Sequence, residues 1–119
     1  MYFDEAEGLF KITGRSIPEN TFKFYQPYID WIHQYLKTTK NPTTRLHINL
    51  EYCNSSSGRF LLDIFKLMDA SASAKHQVYI EWHYADNDDD MMEIGQDLAS
   101  FLKNAQTELI SYRRDHPIF

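Results

Sequence analysis

The chain is poor in several things, and each shortage excludes a class of protein. It has one cysteine, Cys53, so no internal disulfide can form, and a reducing compartment is expected. No run of 18 apolar residues exists to span a bilayer. The opening "MYFDEAEGLF" is acidic and lacks the basic-then-apolar layout of a signal peptide. Basic residues are too few for a nucleic-acid surface: the net charge is −5 and Arg113–Arg114 is the sole adjacent basic pair. There is no internal repeat, low-complexity tract or Gly/Ser-rich linker. The expectation is one cytoplasmic domain over residues 1–119 that touches neither nucleic acid nor membrane.

What is present in quantity is aromatic: 8 Tyr, 8 Phe and 2 Trp among 119 residues. These supply enough apolar area for a core at this length. Tyr2–Asp4, a turn at Glu7–Gly8 and Leu9–Thr13 read as a hairpin, followed by a loop, "RSIPEN". Tyr25, Tyr28, Ile29, Ile32, Tyr35 and Leu36 then recur at helical spacing, with Asn20 as an N-cap. Pro27 is expected to kink or divide this helix. Phe24 and Trp31 flank its stripe.

Arg45–Cys53 alternates, with Leu46, Ile48, Leu50 and Tyr52 opposing His47, Asn49, Glu51 and Cys53. Leu61, Ile64, Phe65 and Met68 line a second helix. Gln77–Ala85 alternates again, Val78, Ile80, Trp82 and Tyr84 opposing Tyr79, Glu81 and His83. Met91, Ile94, Leu98, Phe101 and Leu102 mark a third helix, and "ELISYRR" can form a last strand.

Strand–helix–strand order implies right-handed crossovers and parallel pairing. A parallel sheet covered on both faces would show continuous apolar runs, and these strands alternate instead. The expected fold is therefore α/β: a two-layer sandwich in which a mixed β-sheet with an N-terminal hairpin carries its helices mainly on one face. The opposite face is polar, with His47 and His83 expected to be solvated.

Parallel strands would bring "NSSSG" and "ADNDDD" to the same carboxyl edge, where open α/β sheets place sites. Four readings of Asn54, Ser55, Ser56, Ser57 and Gly58 stay open. They can cap the following helix. Ser56 can imitate a hydrolase nucleophile, with His83 or His116 as base and an acid from Asp86–Asp90, although the first glycine of the nucleophile elbow is missing. A phosphate cradle lacks both the Gly-rich loop and the Walker lysine.

Phosphorylation is the fourth reading. It would add nearly two negative charges at a helix N-terminus, tolerable to the fold and not to a docked partner. Glu51, Asp63 and the loop Asp86, Asp88, Asp89 and Asp90 would surround it. Asp86, Asp88 and Asp90 also match the first ligands of a calcium loop, but Met91 stands at the glycine position and Asp97 where a bidentate Glu is required. An acidic metal-binding module is a rival reading for that reason. No cofactor is needed.

Six pieces of the chain appear together in the order of a known family: "GRSIPEN" (Gly14–Asn20), "FYQPYIDWI" (Phe24–Ile32), "LEYCNSSS" (Leu50–Ser57), "LLDI" (Leu61–Ile64), "EWHY" (Glu81–Tyr84) and "DDDMMEIGQDLA" (Asp88–Ala99). The set resembles the SiaC family of regulatory phosphoproteins. The resemblance implies a STAS-like fold and a non-enzymatic adaptor. It implies phosphorylation by a Ser/Thr kinase, removal of the phosphate by a PP2C-like phosphatase, and binding of a diguanylate cyclase by the unphosphorylated form, in control of cyclic-di-GMP and biofilm formation. The family acceptor threonine aligns with Ser55, and Ser56 is the fallback. Asn54, Ser56, Ser57 and Gly58 would support the site, and Glu51, Asp63 and the Asp86–Asp90 loop would form the partner rim. Cys53 stands where the family has phenylalanine, and Gly58 where serine is common.

Overall fold

The computed structural model describes residues 2–4, 6–16, 21–53 and 55–113, with backbone alone at 15, 16, 21–24, 52, 53, 55 and 56. The elements are β1 (Tyr2–Asp4), β2 (Leu9–Ser16), α1 (Thr21–Thr38), β3 (Thr43–Cys53), α2 (Ser55–Ser71), β4 (Gln77–Ala85), α3 (Asp89–Ser100) and β5 (Gln106–Tyr112). Sheet order follows chain order, β1-β2-β3-β4-β5. Only β1 is antiparallel; β2 through β5 run parallel.

Each parallel step is one strand wide and carries one helix. Successive right-handed crossovers in the same direction put all the helices on the same face. A single core results. Leu46, Ile48, Leu50, Val78, Ile80 and Trp82 from the sheet meet Ile32, Tyr35, Leu61, Ile64, Phe65, Met68, Met91 and Leu98 from the helices. Full burial of each aliphatic or aromatic side chain stabilises by about 1.5–3 kcal/mol. The expected two-layer architecture is the one observed, with a mixed sheet and an N-terminal hairpin.

The hairpin turns at Gly8, whose φ of +68° is left-handed. A Cβ there would sit 2.7 Å from both the Thr43 carbonyl oxygen and the Tyr35 hydroxyl, so only glycine fits. Phe3 stacks on Phe10 at 3.7 Å and meets Trp31 edge-on at 4.6 Å. That contact accounts for Trp31, which remains 45% exposed.

Of the two outcomes expected at Pro27, division does not occur: α1 runs from Thr21 to Thr38 with Pro27 inside it. Three other expectations need adjustment. β2 continues to Ser16, although a loop was expected from Arg15, because it follows β3 past a register shift at Gly14/Arg15. Phe101 caps α3 and is 55% exposed instead of joining the core, with the Lys66 ammonium 5.3 Å above its ring. His83 is 6% exposed, not solvated. The N-cap reading of Asn20 falls outside the described residues.

His83 is covered because the helix-free face has its own side-chain layer. Tyr112 of β5 reaches across β4 and donates its hydroxyl to Asn49 Oδ1 on β3 (3.0 Å). His83, registered beside Asn49 on β3 and Ile110 on β5, lies next to that bridge.

Candidate functional site

Because β2 to β5 are parallel, their carboxyl ends share one edge. Asp86 N–H donates to the Tyr112 carbonyl at 2.8 Å, tying the loop after β4 to the end of β5. α2 opens at Ser55 directly after β3. The first four N–H groups of a helix have no intrahelical acceptor, so this terminus offers donors and the positive end of a dipole.

The expected serines have different fates. Ser55 and Ser56 form the first turn of α2, and Asn54 lies outside the described residues. Ser57 is fully buried and has a polar partner. A hydroxyl at that depth is closed to a kinase in this conformation. Gly58 is a helical residue within the first turns of α2.

Along the same edge runs an open groove of about 480 Å³, lined by Glu51, Asp88, Asp90, Met91, Glu93, Ile94 and Asp97. Five carboxylates rim a floor made by buried Met91 and half-buried Ile94. Glu51 is four residues before Ser55, which limits the separation of their Cα atoms to about 14 Å. Of the expected rim, Glu51, Asp88 and Asp90 meet here. Asp86 and Asp89 are exposed on the loop and first turn beside it. Asp63 does not join them: it lies on the outer α1–α2 surface with Gln26, Ile29 and Lys66, eight residues along α2 from Ser55 and about 12 Å down the axis.

The calcium-loop reading has no structural support. Asp88 is the N-cap of α3, its Oδ1 accepting the Met91 N–H at 3.1 Å, and no group of three or more His, Cys, Asp or Glu among the described residues is arranged to hold a metal. The hydrolase reading fares no better. His83 points to the helix-free face, where its Nε2 lies 3.0 Å from Glu81 Oε1, so it is not placed as a base for Ser56. His116 lies outside the described residues.

Sequence reasoning missed three features. Glu93, Ile94 and Asp97 belong to the groove, and their three- and four-residue spacing from Asp90 could have revealed it. Asp69 is buried, and its Oδ1 accepts the backbone N–H groups of Lys103, Asn104 and Ala105 at 3.1, 2.7 and 2.7 Å. Burial raises the Asp69 pKa, but these three donors outweigh it, and the net shift is downward.

The third is a carboxylate between two imidazoles on the helix-free face. His47 Nε2 lies 3.1 Å from Glu81 Oε2, out of line for a hydrogen bond. Its pKa is lowered, chiefly by burial, against the opposing pull of Glu81 and with help from His83, Lys11 and Arg45.

These features define a class: a two-layer α/β protein whose candidate site is the carboxyl edge of a parallel sheet, where a serine-led helix start adjoins an acidic groove. The family description "SiaC family regulatory phosphoprotein" matches residues 1–112. The chain belongs to the SiaC family.

A protein of Pseudomonas aeruginosa (strain UCBPP-PA14) is 28% identical over 94 residues, covering 79% of this chain and 74% of that one. Solved structures share the fold. SiaC of P. aeruginosa, crystallised as activator in complex with the diguanylate cyclase SiaD, has a TM-score of 0.83 at 23% identity, covering 92% of this chain and 88% of that one. A separate structure of P. aeruginosa SiaC has a TM-score of 0.81 at 23% identity, covering 92% and 86%. Among the described residues no helix is long and apolar enough to cross a membrane.

Proposed function

We propose that this protein is a non-enzymatic cytoplasmic adaptor that binds and activates a diguanylate cyclase, and that phosphorylation of Ser55 switches the binding off. A Ser/Thr kinase adds the phosphate and a PP2C-like phosphatase removes it. The observation that carries the reading is the position of Ser55 in a SiaC family chain: it opens α2 at the carboxyl edge, whereas Ser57 is buried. Ser56 is the alternative acceptor.

The physics favours a change in binding over a change in fold. A phosphate brings about −1.5 to −2 charges and three acceptor oxygens. The N–H groups of a helix start, which have no intrahelical acceptor, and the helix dipole favour an anion at the start of α2, so the protein stays folded. A partner seated against that edge meets a bulky, strongly hydrated group where it needs contact. The P. aeruginosa complex of SiaC with SiaD supports a cyclase as partner.

The test is binding of a purified diguanylate cyclase from the same host to Ser55→Ala and Ser55→Glu, with circular dichroism to check folding. Ala is expected to retain binding and Glu to lose at least tenfold. Equal affinity of the two folded variants refutes the switch.

A further inference from the structure

The groove beside α3 carries more charge than the fold needs. α3 has four acidic residues, Asp89, Asp90, Glu93 and Asp97, and no lysine or arginine. Asp90, Glu93 and Asp97 follow at three and four residues, where like charges on one helix face destabilise it. Among the described residues, the five groove carboxylates form no ion pair with a lysine, arginine or histidine, unlike Glu81 with His47 and His83. Two acids at the start of α3 complement the dipole; Glu93 and Asp97, further along, do not.

The groove is also held in place. Trp82 packs so closely under Gly95 that a Cβ there would lie 2.5 Å from its ring, and its Nε1–H donates to the Met91 carbonyl at 2.9 Å. The rim of repelling carboxylates is therefore fixed over an apolar floor of Met91 and Ile94.

We infer that this groove docks a cationic amphipathic segment of the partner protein: basic side chains about one helical turn apart, flanking one large apolar side chain. The complement follows from the spacing. Asp90, Glu93 and Asp97 are separated by about 4.5 and 6 Å along the axis. A partner helix laid alongside with Lys or Arg at i, i+3 or i+4, and i+7 meets all three, and an apolar residue between them reaches Ile94. This inference rests on the reading of the protein as an adaptor and gives that docking edge its partner chemistry. It does not depend on the phosphoswitch.

The experiment uses the full chain and three fluorescein-labelled 14-residue peptides. One has Lys at those positions around Leu, one has Glu in place of Lys, and one is a scramble of the first with equal charge. The patterned cationic peptide is expected to bind at least tenfold tighter than the other two and to weaken as salt rises. It should move the Met91 and Ile94 methyl NMR signals and lose at least tenfold affinity for the folded Asp90→Lys/Asp97→Lys variant.

Equal binding of the scrambled peptide, or undiminished binding to the charge-reversed variant, overturns the proposal, since simple attraction to an acidic protein would then account for it. Ser55→Glu adds a negative charge close to the groove, so it should bind the cationic peptide at least as well as the parent chain. A failure of the switch and a failure of the groove are thus read separately.

Discussion

Asp69 shows how much one side chain can hold. Its carboxylate gathers three consecutive backbone N–H groups of the segment between α3 and β5. Hydrogen bonds to a charged group are worth about 1.5–3 kcal/mol each, with sharing lowering the sum. Asp69→Ala is expected to lose about 2–4 kcal/mol of unfolding free energy in urea melts. Because the folded pKa is depressed below the ordinary value of 3.8, the contribution is present above that value and disappears as pH falls through the folded pKa. Asp69→Ala should therefore flatten the acid limb of stability below about pH 4.

The His47 pKa is lowered too, but there the shift favours the neutral ring, whereas at Asp69 it favours the charged carboxylate. Burial first, then His83, Lys11 and Arg45, hold its folded pKa below 6.5 against Glu81. The unfolded chain takes up its proton first as pH falls, so stability is full above 6.5 and declines below it until the folded ring protonates. In Glu81→Gln the opposing pull is gone, and the His47 ring signals should titrate at lower pH by NMR. An unchanged or raised titration contradicts the assignment. Neither residue was legible as special. Asp69 resembles any solvated helix acid until a loop 34 residues later folds onto it, and strand alternation assigns His83 to an open face without foreseeing the Tyr112–Asn49 bridge.

At the scale of elements, α3 depends on one close approach. Gly95 lies against the Trp82 ring, with atoms 2.5, 2.6 and 2.8 Å from the site of a Cβ. Alanine gains about 1 kcal/mol of helix propensity over glycine, but forced overpacking costs about 1–3 kcal/mol. The Trp82 indole is fully buried and hydrogen-bonded, so it cannot move aside cheaply. Gly95→Ala is expected to be net destabilising by urea denaturation, with altered Trp82 fluorescence; a stabilised variant would show that the ring can shift.

Elements were legible where one period dominates. β3 and β4 alternate and α2 repeats at three and four residues, and all three formed as expected. β2 ran past its expected end because pairing with β3 outweighs the loop-like local sequence at Arg15 and Ser16. Phe101 fits the apolar spacing of α3, yet the helix ends before it.

For the whole molecule, the decisive property is the parallel sheet in chain order, since it delivers the start of α2 and the α3 groove to one edge. That juxtaposition was legible from topology alone. The depth of Ser57, the removal of Asp63 to another surface and the recruitment of Glu93 and Asp97 were not, because each depends on how the helices rotate against the sheet. The edge is acidic before any modification, so a phosphate there adds to an existing negative field that the protein already tolerates.

Phosphosite mapping on protein isolated from its own host tests the central claim most directly. Trypsin releases Leu46–Arg59, "LHINLEYCNSSSGR", which carries Ser55 and its alternative Ser56 together with the buried Ser57. The account predicts phosphate on Ser55 in a fraction that changes with growth state. A well-detected peptide with no phosphate under any growth state would contradict the phosphoswitch.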